Sequence, residues 1–363
     1  MNHNLALRVI GNVMSWDEQR CRDEMNWLRV ISRFRYDGYQ GFIAGARFVE
    51  SLVYWLQQFA PEDREDAYQY VRTKIVYFSN SQTENLVRSF QPEFVQNRLM
   101  KKVAEELGVP PYLVWANIKA SDRYTELLRK TLFFGLSDGA RMDVFRRSNP
   151  GVISNEQVVV GAEINGQKWN SLLKKLEEDC GDNSKFQFLF LVDDFTASGT
   201  TLLRNPEGHW KGKLFKFFSQ HADRFAASLA PDWTLCVHHH IGTAQAEKAL
   251  NERLDAAQEE IPNWFKNVEL SFGTILNNQS QTSVSDTKTV ALLDKYYNPS
   301  IETSHNAAGG TNDVRMGYAN CGLNLILEHN TPNNSLPLLW ASADANENHP
   351  EMRPLFQRKQ RHT

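Results

Sequence analysis

Two adjacent aspartates, Asp193 and Asp194, close a five-residue apolar run, Phe188-Leu189-Phe190-Leu191-Val192. The small-residue stretch Phe195-Thr196-Ala197-Ser198-Gly199-Thr200-Thr201 follows at once. Carboxylates accept hydrogen bonds from sugar hydroxyls and from the water shell of Mg2+. Backbone N–H groups and hydroxyls of a glycine-containing loop can wrap a phosphate. Acceptors for ribose beside donors for phosphate point to a sugar phosphate. The apolar run has the character of a strand buried on both faces, and ligands of open α/β sheets bind at the C-terminal ends of such strands. A P-loop does not fit, because the chain has no G-x-x-x-x-G-K-[ST] and no Lys follows Gly199 to reach a phosphate.

The run resembles the phosphoribosyl-diphosphate (PRPP) motif of the type I phosphoribosyltransferases: apolar strand, acid pair, apolar pair, then a Thr/Ser-Gly-x-Thr loop. Asp193, Asp194, Ser198, Gly199 and Thr201 fall on that pattern in register, while Ala197 and Thr200 stand where the family varies. The resemblance implies an α/β fold, a phosphoribosyltransferase-like parallel sheet flanked by helices, here with a helical N-terminal region and a C-terminal hood. It gives ribose hydroxyls and hydrated Mg2+ to Asp193 and Asp194, the metal being held through water, and the 5′-phosphate to the loop from Thr196 to Thr201. The family holds pyrophosphate in the loop after its first sheet strand. That position is taken here by Gly135-Leu136-Ser137-Asp138-Gly139-Ala140-Arg141, where glycine permits close approach and Arg141 offers paired donors. Asp138 and Arg141 therefore join the acid pair as catalytic candidates, with Ser137 and Gly139 as binding residues. One departure stands out: Arg204 to Gly212, with Pro206 and Gly208, interrupts the chain before a helix near Lys213, which leaves the phosphate loop without the long helix that usually begins inside it.

Two further segments carry polar chemistry. In Cys236-Val237-His238-His239-His240, strand alternation puts Cys236, His238 and His240 on one face. Their rise spreads them over about 13 Å, too far for one zinc ion. His240 instead falls at the sheet's C-terminal edge, beside the motif loop, as a supporting contact. The late run from His329 and Asn330 through Asn333 to Trp340, punctuated by Pro332 and Pro337, is amide-rich and ends in an indole able to stack on a base. Base recognition is what the family assigns to its variable hood, so His329, Asn330, Asn333 and Trp340 are the candidate base contacts.

The whole pattern resembles the phosphoribosyltransferase-like effectors of bacterial conflict systems, over about 130–345. That resemblance implies a toxin-like effector of antiviral defence, found beside ATPases or retron reverse transcriptases. Such an effector acts on PRPP or a nucleotide at the anomeric carbon of ribose 5-phosphate, has a protein partner, and meets nucleic acid only indirectly. A noncatalytic module that senses PRPP or a nucleotide and gates a partner complex is the alternative, and a housekeeping salvage transferase is a third reading.

The segments that carry these residues fall into two kinds. From residue 16 to about 130 apolar residues recur at helical spacing: Met25, Leu28, Ile31 and Phe34, then Phe42, Ala46, Val49, Val53 and Leu56, then Val95, Leu99, Val103 and Leu107 before Gly108. Pro61-Glu62-Asp63 opens a helix, and Ser81 to Glu84 has capping-box spacing. From 131 strands and helices alternate: strands at 131–136, 158–164, 186–193, 233–240 and 268–272, and helices around Leu172, Phe218 and Leu250. The expected division is 1–128 helical, 129–345 the α/β domain with hood, and 346–363 a tail. Net charge is −3, against nonspecific nucleic-acid binding, and four cysteines without CxxC spacing suit a reduced, cytoplasmic protein. No basic and apolar leader opens the sequence and no run of about 18 apolar residues is available to span a membrane. Asn/Gly-rich 305–312 reads as a loop.

Overall fold

The computed structural model describes residues 3–42, 47–162, 164–303, 309–311 and 313–359. Ala46 and most of the expected 305–312 loop lie outside them. By packing the chain forms two compact units, residues 83–276 and residues 1–82 with 277–363.

The first unit is a five-stranded sheet, parallel throughout, in the order β3-β2-β4-β5-β6. Its strands are β2 (Thr131–Gly135), β3 (Val158–Val159), β4 (Phe186–Thr196), β5 (Leu229–Thr243) and β6 (Asn267–Leu276), with β1 (Val76–Phe78) and β7 (Leu325–Leu327) in the other unit. The expected strands are all present. The second shrinks to two residues, while β4, β5 and β6 run further than the apolar pattern, because ladder bonds continue through the polar residues at their C-terminal ends.

Helices cover both faces. Counting along the chain, those of the sheet unit are α5 (Asn80–Phe90), α6 (Gln96–Leu107), α7 (Ile118–Arg129), α8 (Met142–Ser148), α9 (Gly166–Cys180), α10 (Lys213–Ser228) and α11 (Ala244–Glu260), while α1 (His3–Met14), α2 (Glu18–Phe34), α3 (Phe48–Leu56), α4 (Arg64–Lys74) and α12 (Thr287–Tyr296) belong to the other unit. On one face Val87, Phe90, Leu99, Val103 and Leu127 pack against Phe133, Phe188, Phe190 and Val192. On the other, Trp169, Leu214, Phe217, Phe218, Leu250 and Leu254 pack against Leu132, Phe134, Leu189 and Leu191. Alternate residues of β4 therefore feed opposite cores, which is why its sequence is apolar without a break. Truncating Phe190, 2% exposed, to Ala would cost about 3–5 kcal/mol.

This packing cuts across the expected boundary at 128/129, since most of α5 and all of α6 and α7 form one layer of the sheet unit. Gly108 closes α6 in the left-handed region at φ 64, as its sequence signal implied. The cap of α5 lies two residues earlier than expected: Ser79 Oγ accepts from the Gln82 N–H at 3.2 Å, and Gln82 Oε1 from the Ser79 N–H at 3.0 Å.

The second unit joins residues from both ends of the sequence around one core. Its N-terminal part is not purely helical: β1 pairs in parallel with β7, Tyr77 opposite Ile326. Three residues are too few to show a period, and their partner lies far along the chain. The segment expected as a tail is also packed. Met352, Leu355 and Phe356 are at most 1% exposed, and the Phe356 ring lies 5.5 Å from Tyr36 and 5.8 Å from Phe48. Apolar side chains next to Pro354 outweigh the basic residues that follow them.

Candidate active site

The order of the sheet marks one special place. The chain leaves β2 for β3 on one side, then returns to lay β4 on the other side of β2. The carboxyl ends of β2 and β4 thus flank a topological switch point, where open α/β sheets leave a crevice. The loop 136–141 leaves β2 there, and Asp193, Asp194 and the loop 197–203 leave β4.

The two carboxylates do not act as a matched pair. They differ in burial and in partners, although Ser137 lies near both. Asp193, 3% exposed, receives hydrogen bonds on Oδ1 from Ser137 Oγ at 2.5 Å and from the Asp194 N–H at 3.2 Å, and its Oδ2 is ion-paired with Lys213 Nζ. Burial pushes the Asp193 carboxyl up to about 6, against the pull of the Lys213 ammonium and helped by the neighbouring Asp194 charge. Asp194, half-buried, lies against the β2 loop, where a Cβ on Gly139 would stand 2.1 Å from its Oδ2. A side chain there would push that carboxylate aside. Ser137 Oγ also lies 3.5 Å from Asp194 Oδ1.

Beneath the β2 loop, His240 Nε2 donates to the Ala140 carbonyl at 3.2 Å, a contact with the β2 loop rather than with the motif loop beside which the sequence placed it. Arg141 takes the left-handed conformation, φ 50, at the entry to α8, with its guanidinium 3.8 Å from Glu84. Asp138 is exposed. A non-glycine residue in that region is uncommon and is held by its surroundings.

The β4 loop is bonded largely to itself and to α11. Thr196, Ala197, Ser198, Gly199 and Thr200 are buried, and Thr201 is exposed. Ser198 Oγ and Thr200 Oγ1 lie 2.9 Å apart; the Gly199 carbonyl accepts from the N–H groups of Leu202 and Leu203, both at 3.1 Å. Thr243 Oγ1 donates to the Ala197 carbonyl at 2.6 Å, and Arg253 Nη1 to that of Ser198 at 3.1 Å. Gly199 has φ 71, and a Cβ there would meet Leu250 Cγ at 2.7 Å. Its glycine requirement thus comes from packing on α11 as well as from any phosphate.

As expected, no long helix begins in the loop. Arg204 and Lys211 pair as a short antiparallel bridge, and α10 starts at Lys213. The Lys213 N–H donates to the Thr201 carbonyl at 2.9 Å while its side chain crosses to Asp193. Sequence reasoning placed this helix start but gave Lys213 no part. Its signal was a lysine at the first position after the interruption.

The base-contact candidates belong to the other unit. There the Asn330 amide donates to the Lys359 carbonyl at 3.2 Å and accepts its N–H at 2.9 Å, and Trp340 Nε1 donates to the Ser335 carbonyl at 2.8 Å. His329 and Asn333 are half-buried.

A parallel sheet whose switch point carries an acid pair and a Ser-Gly loop is the arrangement the sequence motif implied. The family model PRTase-CE matches residues 52–358. The chain belongs to the PRTase-CE family, phosphoribosyltransferases of conflict systems. The match reaches well beyond 130–345 and takes in segments of both units, so the PRTase-CE chain is more than its sheet. Among curated proteins and among solved structures nothing matches.

The family resemblance implies Mg2+. As arranged, Asp193 does not fit direct ligation of a metal ion, because its oxygens are taken by Ser137, the Asp194 N–H and Lys213. Among the described residues no three His, Cys, Asp or Glu cluster as metal ligands. Nor, among them, is any helix long and apolar enough to cross a membrane.

Proposed function

We propose that this PRTase-CE protein acts at the anomeric carbon of a ribose 5-phosphate carried by PRPP or a nucleotide, as an effector of bacterial antiphage defence. The observation that carries the reading is the meeting of Ser137, Gly139, Asp193 and Asp194 at the switch point between β2 and β4, with the Ser198-Gly199 loop on the same strand end. Asp194 and Asp193 accept the ribose hydroxyls. Backbone and hydroxyl groups of 197–201 hold the 5′-phosphate, and the loop from Asp138 to Arg141, braced by His240, holds the leaving group. Positive charge develops on the ribose ring in such a reaction, so fixed carboxylates stabilise it electrostatically and no covalent nucleophile is needed.

A second reading has its own support. Lys213 already neutralises Asp193, and α10 begins beyond the loop, so its dipole is displaced from the phosphate position. Both features suit a module that binds PRPP or a nucleotide without turning it over and signals to a partner, an ATPase or reverse transcriptase of the same system. Purified protein incubated with Mg2+ and PRPP or nucleotides, alone and with its genomic neighbours, separates the two. Release of pyrophosphate or free base supports the enzyme. A ligand-dependent rise in melting temperature without release supports the sensor. Neither result with the complete complex removes both.

A further inference from the structure

Lys213 is tied to both halves of the site. Its N–H is bonded to the Thr201 carbonyl at 2.9 Å, and the next N–H, of Leu214, to the Leu202 carbonyl at 3.0 Å, which anchors the start of α10 on the phosphate loop. Its ammonium reaches the carboxylate of Asp193. Gly212 fixes this turn at φ 121, where a Cβ would stand 2.4 Å from the Leu202 carbonyl oxygen. The hairpin-like 204–211 insertion therefore delivers a cation at the junction of acid pair and phosphate loop. The side chain of Lys213 is 29% exposed while that of Asp193 is 4% exposed, so the lysine is the member of the pair nearer to solvent.

We infer that Lys213 is a ligand-binding residue whose ammonium exchanges Asp193 for the 5′-phosphate, so that the phosphate group of the ligand releases the carboxylate for the ribose hydroxyls. The inference rests on the ribose 5-phosphate reading above. A phosphate dianion offers a cation more negative charge than one carboxylate, and lysine's flexible stem lets the ammonium turn between them without moving the helix. The exchange makes the acid pair selective: a ribose lacking phosphate meets an Asp193 that is still occupied. The loop donors favour the phosphate as well, and the exchange adds to that preference.

Calorimetric titration with ribose 5-phosphate and with ribose tests this in wild type, Lys213→Gln and Lys213→Arg. The Gln amide can still bond Asp193, which protects the fold. Wild type should prefer the phosphorylated sugar, Lys213→Gln should lose about tenfold of that preference, and Lys213→Arg should keep it. An unchanged preference in Lys213→Gln overturns the inference, as does an equal loss for both sugars. Wild type that binds neither sugar overturns the site reading itself, a separate result. For a Gln variant that does not fold, the unaltered protein still decides: the lysine Cε NMR signal missing from Lys213→Arg should move with ribose 5-phosphate and not with ribose. A signal indifferent to ribose 5-phosphate refutes the exchange.

Discussion

Buried polar side chains do different work in the two units. In the unit built from both ends of the chain, Asn298, fully buried, donates its amide to the Asp344 and Pro350 carbonyls at 3.1 and 3.0 Å and accepts the Ser300 N–H at 3.0 Å. Ser335 Oγ donates to the Leu325 carbonyl at 2.6 Å, and Asn334 Nδ2 to that of Tyr318 at 3.1 Å. These groups close on backbone and hold loops in place. In the sheet unit His238, His239 and His240 are as deeply buried, yet each leaves one ring nitrogen without a partner. Burial holds His238 far below its usual range and lowers His239 to about 3 and His240 to about 4. Asn298, Asn334 and Ser335 thus fix loops, whereas the three histidines are costly groups beside an acid pair, as sites hold.

The largest test of that contrast is the acid pair. Asp193→Asn with Asp194→Asn should weaken ribose 5-phosphate binding at least about a hundredfold in calorimetry, with stability changed by no more than about 2 kcal/mol in denaturant melts. The stability allowance reflects Asp193 as found: it is not a surface carboxylate, and the change strands Lys213 while removing a buried charge. Asn298→Ala in the other unit should do the reverse, costing about 2–4 kcal/mol of stability and leaving binding alone. An Asn298 variant of normal stability would dissolve the contrast.

Next in size is the response to acid. The three histidines are neutral when folded and titrate near 6.5 when unfolded, so their contribution is complete above that pH and is lost as pH falls toward their folded values. Each pH unit by which a histidine's protonation is deferred removes about 1.4 kcal/mol. Asp193 works in the opposite sense between pH about 6 and its unfolded value near 4, where the folded carboxyl holds a proton first, but it is one group against three. Melting temperature should therefore fall from pH 7 to 5, and His239→Phe, which keeps the stack on Phe272, should flatten the slope. The smallest effect is expected at Gly139→Ala. The new methyl displaces the Asp194 carboxylate, so binding should drop about tenfold at nearly constant melting temperature.

The sheet was legible in the sequence because its strands carry dense, local signals. Phe188 to Val192 is apolar without a gap, and Trp169, Leu172 and Leu176 repeat at helical spacing. The PRPP-like motif was legible for the same reason: its residues are contiguous. What escaped was nonlocal. Lys213 meets Asp193 from 20 positions further along a largely irregular chain, and nothing about its neighbours marks it as a partner. Val76 to Phe78 is too short to show alternation, and Leu355 with Phe356 looked like a tail because burial there depends on Tyr36 and Phe48. Gly199 was assigned to the phosphate by type, whereas its Cβ direction, toward Leu250, is visible only in three dimensions.

The β1–β7 pairing also sets a timetable. The sheet unit is one continuous stretch, so a growing chain can complete it while later residues are still being made. The other unit cannot close until Leu325 to Leu327 arrive, about 250 residues after the strand they pair with. Until then Val76, Tyr77 and Phe78 have no ladder partner and the aromatic cluster around Phe356 lacks its centre. Birth of this protein is thus staggered, the motif-bearing half maturing first and the half made from both ends last. Its slowest, most aggregation-exposed interval falls in the wait between them.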